Sequence, residues 1–389
     1  MTDVVIAGAC RTPVGKYGRA FRNVEAVRLG STVVAEAVNR AGLVPADIEE
    51  VLLGNVISAG LGQNPARQAA LFGGLSERVG AVTINKVCGS GLQAAMFAAD
   101  MIRAGSAEVL LTGGMESMSR APYLVKEARW GIGINNVPFI DAMVNDGLWD
   151  AYNQFHMGIT GELVAEKFRV TREEMDRFAL ESHRRAAAAT QEGRFREQIV
   201  PVEVPGAGKV EVDEGIRADS TLEKLAKLPP VFREGGQVTA GNASQLSDGA
   251  AAMVVMSEAA AERHGVTPLG RIIDYGTVGV RPEAVMEAPI LGVRKLLKKT
   301  GLTIDDIDLF EHNEAYAAAS VTVMRELGIP YDKFNVNGGA VALGHPIGCS
   351  GARVLTTLLY AMNDHGAKRG LATLCLGGGN AVSMVVERP

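Results

Sequence analysis

The stretch Val82-Thr83-Ile84-Asn85-Lys86-Val87-Cys88-Gly89-Ser90-Gly91 runs from an apolar strand pattern through a small-residue elbow into an Ala-rich helix, Leu92 to Arg103. Further on, Gly348-Cys349-Ser350-Gly351 opens a second helix in the same way. Each helix is followed by a glycine (Gly105 or Gly366), an apolar strand (Glu108 to Thr112, or Leu371 to Leu376) and a glycine cluster (Gly113-Gly114, or Gly377-Gly378-Gly379). Working outward, Gly42-Leu43 with Asp47-Ile48 recurs as Gly301-Leu302 with Asp306-Ile307. Each copy follows a helix and precedes a strand, Val51 to Leu53 or Ile307 to Phe310. Two matches in one order indicate an internal duplication. Strands bounded by glycine and alternating with helices predict an α/β fold, here two similar halves packed together.

Between the halves, residues 121–244 differ in character. They hold both tryptophans, Trp130 and Trp149, and most of the long polar segments. Thr171 with Glu174 three residues on forms a capping box before a helix with Met175, Phe178 and Ala179 on one face. The division expected is a first half over 1–120 completed by 245–268, an inserted loop-rich domain over 121–244, and a second half over 269–389. Insertions of this kind commonly supply substrate contacts, and connecting structure is the plainer alternative.

Composition excludes several classes. The 389 residues carry 39 basic and 44 acidic side chains, a net charge of −5, with no long basic run, so neither nucleic acid nor an anionic membrane is an expected partner. The 46 glycines follow no Gly-X-Y period, which excludes collagen. Hydrophobic residues make 47%, enough apolar surface to offset chain entropy and exclude disorder. Met1 to Gly8 lacks the basic region of a secretory signal, and the four cysteines show no Cys-x-x-Cys spacing. A cytoplasmic protein with no metal site is the expectation.

Three residues stand out as candidates for chemistry. Cys88 lies at the elbow before a helix N-terminus, where the dipole favours thiolate and flanking glycines leave the backbone bare; the alternative is a buried structural thiol. His345 is held off helical geometry by Pro346 and precedes the second elbow, so packed halves could bring it to Cys88; a hydrogen-bonded loop histidine is the alternative. Cys375 ends an apolar strand before three glycines whose amides could stabilise an oxyanion, although core packing would also explain it. Asn313 either caps the run Ala315 to Leu327 or positions a polar substrate group. The P-loop, Gly-x-Gly-x-x-Gly and Gly-x-Ser-x-Gly signatures are missing, as is any metal-ligand spacing.

Asn85-Lys86-Val87-Cys88-Gly89-Ser90-Gly91-Leu92-Gln93-Ala94, Asn313-Glu314-Ala315-Tyr316-Ala317, Gly344-His345-Pro346-Ile347-Gly348 and Cys375-Leu376-Gly377-Gly378-Gly379 resemble, in order, the four catalytic blocks of the thiolase family. The resemblance spans essentially the whole chain. It implies two duplicated αβαβα layered halves, an inserted loop domain for CoA binding and oligomer contacts, and a homotetramer, a dimer of dimers. It implies an acetyl-CoA C-acetyltransferase of the short-chain, biosynthetic type, with coenzyme A thioesters as substrates and no tightly bound cofactor. Cys88 would be the acylated nucleophile, His345 its activator and Cys375 the acid/base thiol. Asn313 would hold a water that forms one oxyanion hole with His345, while amides of Cys88 and Gly377 form the other. Leu148, His156 and Met157 would line the acyl-CoA site, with Arg217, Lys224, Phe232, Ala240, Ser244 and Tyr316 in the substrate and CoA segment.

The sequence departs from the family pattern in places. Tyr316 replaces the usual Phe, Lys224 a small polar residue, and His312 a small or apolar one. Met286-Glu287-Ala288-Pro289 is one residue shorter than the usual Met-Gly-x-Gly-Pro. These departures bear on acyl chain length, so a 3-ketoacyl-CoA thiolase for longer chains is an alternative. A decarboxylating condensing enzyme would offer two histidines, or His and Asn, beside the Cys. A non-catalytic lipid-binding relative would have lost Cys88, His345 or Cys375.

Overall fold

The computed structural model describes residues 2–389. The first half lays down strands β1 (Val4–Arg11), β2 (Glu50–Gly54), β3 (Gly80–Ile84) and β4 (Val109–Ser117), separated by helices α1 (Ala26–Arg40), α2 (Pro65–Phe72) and α3 (Ser90–Arg103). After Ser117 the chain leaves the sheet and re-enters it as β5 (Ser247–Ser257). The segment between carries α4 (Gly158–Phe168) and α5 (Arg172–Gln191). Thr171 caps α5 as its sequence predicts: its hydroxyl accepts from the Glu174 amide at 3.2 Å and its own amide donates to the Glu174 carboxylate at 2.7 Å. The second half then follows as β6 (Gly270–Gly279), α6 (Ala288–Thr300), β7 (Leu309–His312), α7 (Ala317–Leu327), α8 (Ser350–Asp364), β8 (Arg369–Leu376) and β9 (Asn380–Glu387).

The strands run in the order β7-β8-β9-β6-β1-β5-β4-β2-β3, with a two-residue strand, Gly15–Lys16, beside β5. The hydrogen bonds repeat themselves. In the first half β2-β4-β5-β1 corresponds to β7-β8-β9-β6 in the second; β2–β4 and β7–β8 are parallel and the other pairs antiparallel. β3 extends the first half alongside β2, whereas beside β7 only a parallel bridge, Phe310 to Phe334, marks the corresponding place. The halves meet along β1 and β6, where just Val5–Arg271 and Ile6–Gly270 pair.

Strand side chains alternate between faces, and each face finds its own helices. Val5, Leu111 and Val254 pack against Val33, Val34 and Ala37 of α1 and Ala66 of α2. Ile6, Leu110, Met253 and Val255 point the other way, into a cluster with Leu92 and Ala95 of α3 and Val354 and Leu358 of α8. Leu371, Cys375 and Val385 of the second half pack outward against Val293 of α6 and Val321 of α7. The result is five layers, αβαβα, with α3 and α8 side by side at the centre.

Two elbow glycines set how closely those central helices start. A Cβ on Gly91 would lie 2.6 Å from the Ala352 nitrogen, and one on Gly351 2.3 Å from the Leu92 nitrogen. One expectation needs correcting. Gly113-Gly114 does not close its strand; β4 continues through both glycines to Ser117. They are there for approach: a Cβ on Gly113 would lie 2.2 Å from the Ala251 carbonyl oxygen, and one on Gly114 2.1 Å from that of Gly348. Among the described residues no helix is long and apolar enough to cross a membrane.

Candidate active site

The elbow before α3 is a strained turn held by short hydrogen bonds. Val87 has φ +48°, a conformation costly for a β-branched residue. Ser90 Oγ donates to the Val87 carbonyl at 2.6 Å and accepts from the Lys86 amide at 2.8 Å, fixing the turn from inside. Cys88 sits at its apex. The sulfur faces a cavity of about 50 Å³ shared with His345, Cys375 and Gly377, and walled by Val87, Gly147, Leu148, Met157, Ser244, Val285, Met286, Ala315, Tyr316 and Ile347. All four cysteines are unpaired.

Burial, more than the helix dipole, sets the state of Cys88. The apolar walls push its thiol up to about 11, although backbone N–H groups of Gly377 and of Cys88 itself pull the other way. Desolvation therefore outweighs the helix dipole's pull towards thiolate and favours the protonated sulfur at neutral pH. Cys375 is raised further by burial and by the neighbouring Cys88. Its sulfur lies 3.7 Å from Met286 Sδ.

His345 is the neutral partner. Burial, with the Arg353 charge, depresses it to about 3. Its Nδ1 is 2.5 Å from Ser350 Oγ, and that hydroxyl in turn donates to the Pro346 carbonyl at 2.9 Å. With the Ser350 proton committed, Nδ1 carries the ring proton and Nε2 keeps its lone pair. The Asn313 amide reaches Nε2 at 3.3 Å, and Asn313 Oδ1 has no protein partner. Asn313 is not a helix cap, because α7 begins at Ala317 with Tyr316 in the cap position. Its own amide is tied to the Thr373 carbonyl at 3.1 Å.

The supporting shell contains residues the sequence reading missed. Glu116, buried at the end of β4, accepts from Asn55 Nδ2 at 2.9 Å and from the amides of Val56, Ile57 and Gly348, so it clamps the second elbow to the first half. Glu314 accepts from Ser182 Oγ, Asn335 Nδ2 and the Val341 amide. Ser350, Glu116 and Met286 each lie beside a motif residue, but only the folded partner reveals their use.

The remaining candidates divide. Leu148, Met157, Ser244 and Tyr316 line the cavity. Phe232 meets Tyr316 edge-on with centroids 6.0 Å apart, and His156 stacks on Phe232 at 4.8 Å. Arg217, Lys224 and Ala240 lie outside the lining. Lys224 pairs with Asp219 at 2.6 Å in solvent, and the Arg217 amide donates to His183 Nδ1 at 3.1 Å.

Two thiols and a neutral imidazole therefore meet in one cavity of a duplicated fold, Cys88 from an elbow, His345 from a loop and Cys375 from the end of β8. Family comparison is decisive: residues 4–259 match the thiolase N-terminal domain and 266–388 the thiolase C-terminal domain. The chain belongs to the thiolase family. Among similar thiolases, the acetyl-CoA acetyltransferases of Chromobacterium violaceum and Pseudomonas aeruginosa are each 50% identical, with all of both chains covered. A probable acetyl-CoA acyltransferase of Staphylococcus aureus is 49% identical over the same extent. The crystal structure of the Bacillus anthracis acetyl-CoA acetyltransferase superposes with a TM-score of 0.98 at 43% identity, covering 100% of this chain and 99% of that one.

Proposed function

We propose that this thiolase is an acetyl-CoA C-acetyltransferase, catalysing the reversible condensation of two acetyl-CoA to acetoacetyl-CoA and CoA. The observation that carries this reading is the shared cavity of Cys88, His345 and Cys375 with the Gly377 amide. Similarity to named acetyl-CoA acetyltransferases along the whole chain supports it.

In the forward direction His345 Nε2 takes the Cys88 proton as the sulfur attacks the thioester carbonyl. The oxyanion forms beside the Cys88 and Gly377 amides, preorganised donors that need not reorient as the charge develops. Collapse breaks the C–S bond to CoA, and the departing thiolate takes the Cys375 proton. Acetyl-Cys88, imidazolium and Cys375 thiolate remain. The Cys375 thiolate then removes an α-proton from the second acetyl-CoA, and the enolate oxygen is held by imidazolium and a water on Asn313. Carbon attack on acetyl-Cys88 forms the C–C bond and expels the Cys88 sulfur, which recovers its proton from His345. The unpartnered Asn313 Oδ1 supports the placement of that water.

Leu148, Met157, Ser244 and Tyr316 contact the acyl end in this reading, with Phe232 and His156 behind them. Arg217, Lys224 and Ala240 follow the CoA. Lys224 would exchange the exposed Asp219 for a phosphate, and solvent screening makes that exchange easy. We further propose a cytoplasmic homotetramer; the exposed apolar side chains of Trp130, Ile134 and Phe139, together in the inserted segment, support an oligomer contact there.

The test is thiolysis of acetoacetyl-CoA by the wild type and Cys88→Ser, with peptide mapping of the trapped acyl group. An adduct on Cys88 and loss of turnover in the variant are expected. An adduct on Cys349 or Cys10 would overturn the assignment. Cys375→Ala should still acylate Cys88 yet fail to condense.

A further inference from the structure

Asn313 and His345 touch each other but come from different elements. Asn313 follows the end of β7, and His345 precedes α8, whose first residue, Ser350, fixes its ring at 2.5 Å. One layer deeper the same two elements meet again. Side chains alternate along β7, so His312 turns away and stacks on Phe334 with centroids 5.8 Å apart. Glu311 and Asn313 turn the other way, to Arg353 and His345. On α8, Arg353 lies one turn beyond Ser350, on the same face. Arg353 Nη1 and Glu311 Oε2 come within 4.0 Å, and their side chains are 0% and 1% exposed.

That separation is too long for a hydrogen bond. Among the described residues, none of the three Arg353 nitrogens and neither Glu311 oxygen has a protein partner, nor has Thr356 Oγ1, one more turn along α8. Unmet charged groups are costly in a core, and a polar gap just beyond hydrogen-bond reach is one that water bridges. The supports of Asn313 and His345 are also unequal. His345 is held by Ser350 and through its amide, which donates to the Gln245 carbonyl at 3.0 Å and to Ser247 Oγ at 3.2 Å. The Asn313 side chain reaches the His345 ring alone, so its place depends on where the end of β7 lies. Asn335 grips the edge of that strand end, accepting from the His312 amide at 2.8 Å and donating to its carbonyl at 2.9 Å. The face towards α8 is held through Glu311.

We propose that Glu311 and Arg353 are a water-bridged positioning pair, which sets the end of β7 against α8 and so holds Asn313 at His345 for the enolate oxygen. The inference rests on the acyltransferase reading above. Neither side chain meets substrate; Glu311 acts through Asn313, two residues on, and Arg353 through Ser350, three residues back. Acylation depends on the pair less than enolate formation does, since its oxyanion donors, the Cys88 and Gly377 amides, belong to the first elbow and the turn after β8.

The experiment measures two rates in each variant: acylation of Cys88 by acetyl-CoA, read by quenched-flow intact mass, and exchange of the acetyl-CoA methyl protons with D₂O, which needs the enolate. Their ratio does not depend on the folded fraction, so a loss of stability alone leaves it unchanged. In Glu311→Ala, exchange relative to acylation should fall at least about tenfold, because a misplacement of about 1 Å can cost about a hundredfold. Glu311→Gln keeps an acceptor of the same shape for the water and should stay within about threefold of the wild type. The double variant Glu311→Leu with Arg353→Met removes both charged groups together, a change that buried pairs tolerate, and its ratio should fall as in Glu311→Ala. A wild-type ratio in Glu311→Ala or in the double variant overturns the proposal, as does a loss in Glu311→Gln equal to that in Glu311→Ala. A crystal structure of the wild type gives a test that needs no variant: an ordered water should lie within about 3.2 Å of both Arg353 and Glu311, and a direct pair without water overturns the proposal. Failure of the wild type to acylate Cys88 would instead overturn the function on which it rests.

Discussion

Cys88 offers the sharpest test of the site's electrostatics, with pH as the perturbation. Its thiol is pushed up to about 11 by burial, and the amides of Gly377 and Cys88 only partly offset this. At pH 7.5 the thiolate is then about one molecule in 3,000, from the roughly 3.5-unit gap. Iodoacetamide reacts with thiolate alone, so its rate at Cys88 should climb about tenfold per pH unit, or about a thousandfold between pH 6 and 9. Site-resolved mass spectrometry separates Cys88 from Cys375, which is raised further and should be labelled later. Catalytic acylation by acetyl-CoA should behave differently. There the proton passes to His345, already neutral because its value is depressed to about 3, so that rate should stay nearly flat from pH 6 to 8. An alkylation plateau below pH 8 would refute the reasoning, since it would mean a resting thiolate–imidazolium pair and a helix dipole stronger than desolvation.

Other perturbations probe the supports. Ser350→Ala strips the buried His345 Nδ1–H of its acceptor at 2.5 Å; at about 1–3 kcal/mol for an unmet donor, stopped-flow acylation should slow by roughly 5- to 150-fold with the fold intact by circular dichroism. Glu116→Gln sets an NH₂ group against N–H donors, including the Gly348 amide 3.0 Å away, and should lower denaturant-measured stability by about 1–3 kcal/mol. Gly114→Ala would place a Cβ 2.1 Å from the Gly348 carbonyl oxygen, backbone on backbone, and should cost about 3 kcal/mol or more, seen as loss of soluble protein.

The fold was readable where spacing and glycine carry the signal. The paired elbows, the repeated Gly-Leu and Asp-Ile sites, and the capping box at Thr171 all depend on neighbours a few residues away, so they survive in the sequence. Cys88, His345 and Cys375 were readable for the same reason, each lying beside glycines that a bare backbone needs. The true length of β4 was hidden, because Gly113 and Gly114 answer to Ala251 and Gly348, far along the chain. The roles of Glu116 and Ser350 were hidden likewise; each works through a partner that only folding supplies. The protonation of Cys88 follows from desolvation by walls drawn from both halves and the inserted segment, and no local pattern reports that.

The duplication also explains why the site needs both halves. Each elbow rests on the strand end of the opposite half. The first elbow lies against the end of β8, where a Cβ on Gly89 would strike Leu376 at 1.9 Å and the Gly377 amide reaches the Cys88 sulfur. The second elbow lies against the end of β4, where Gly348 meets Gly114 and donates to Glu116 at 3.0 Å. The geometry is nearly symmetric but the residues are not. The first half places a nucleophile at its elbow, whereas the second places Gly348 there and puts its imidazole three residues earlier, at His345. The second half's strand end supplies the other thiol, Cys375, and the Gly377 amide, while the first half's supplies the Glu116 clamp. Neither half alone holds a nucleophile, a base and an oxyanion donor together. Any change that slides the halves along the short β1–β6 seam should therefore separate Cys88 from Gly377 and His345 at once.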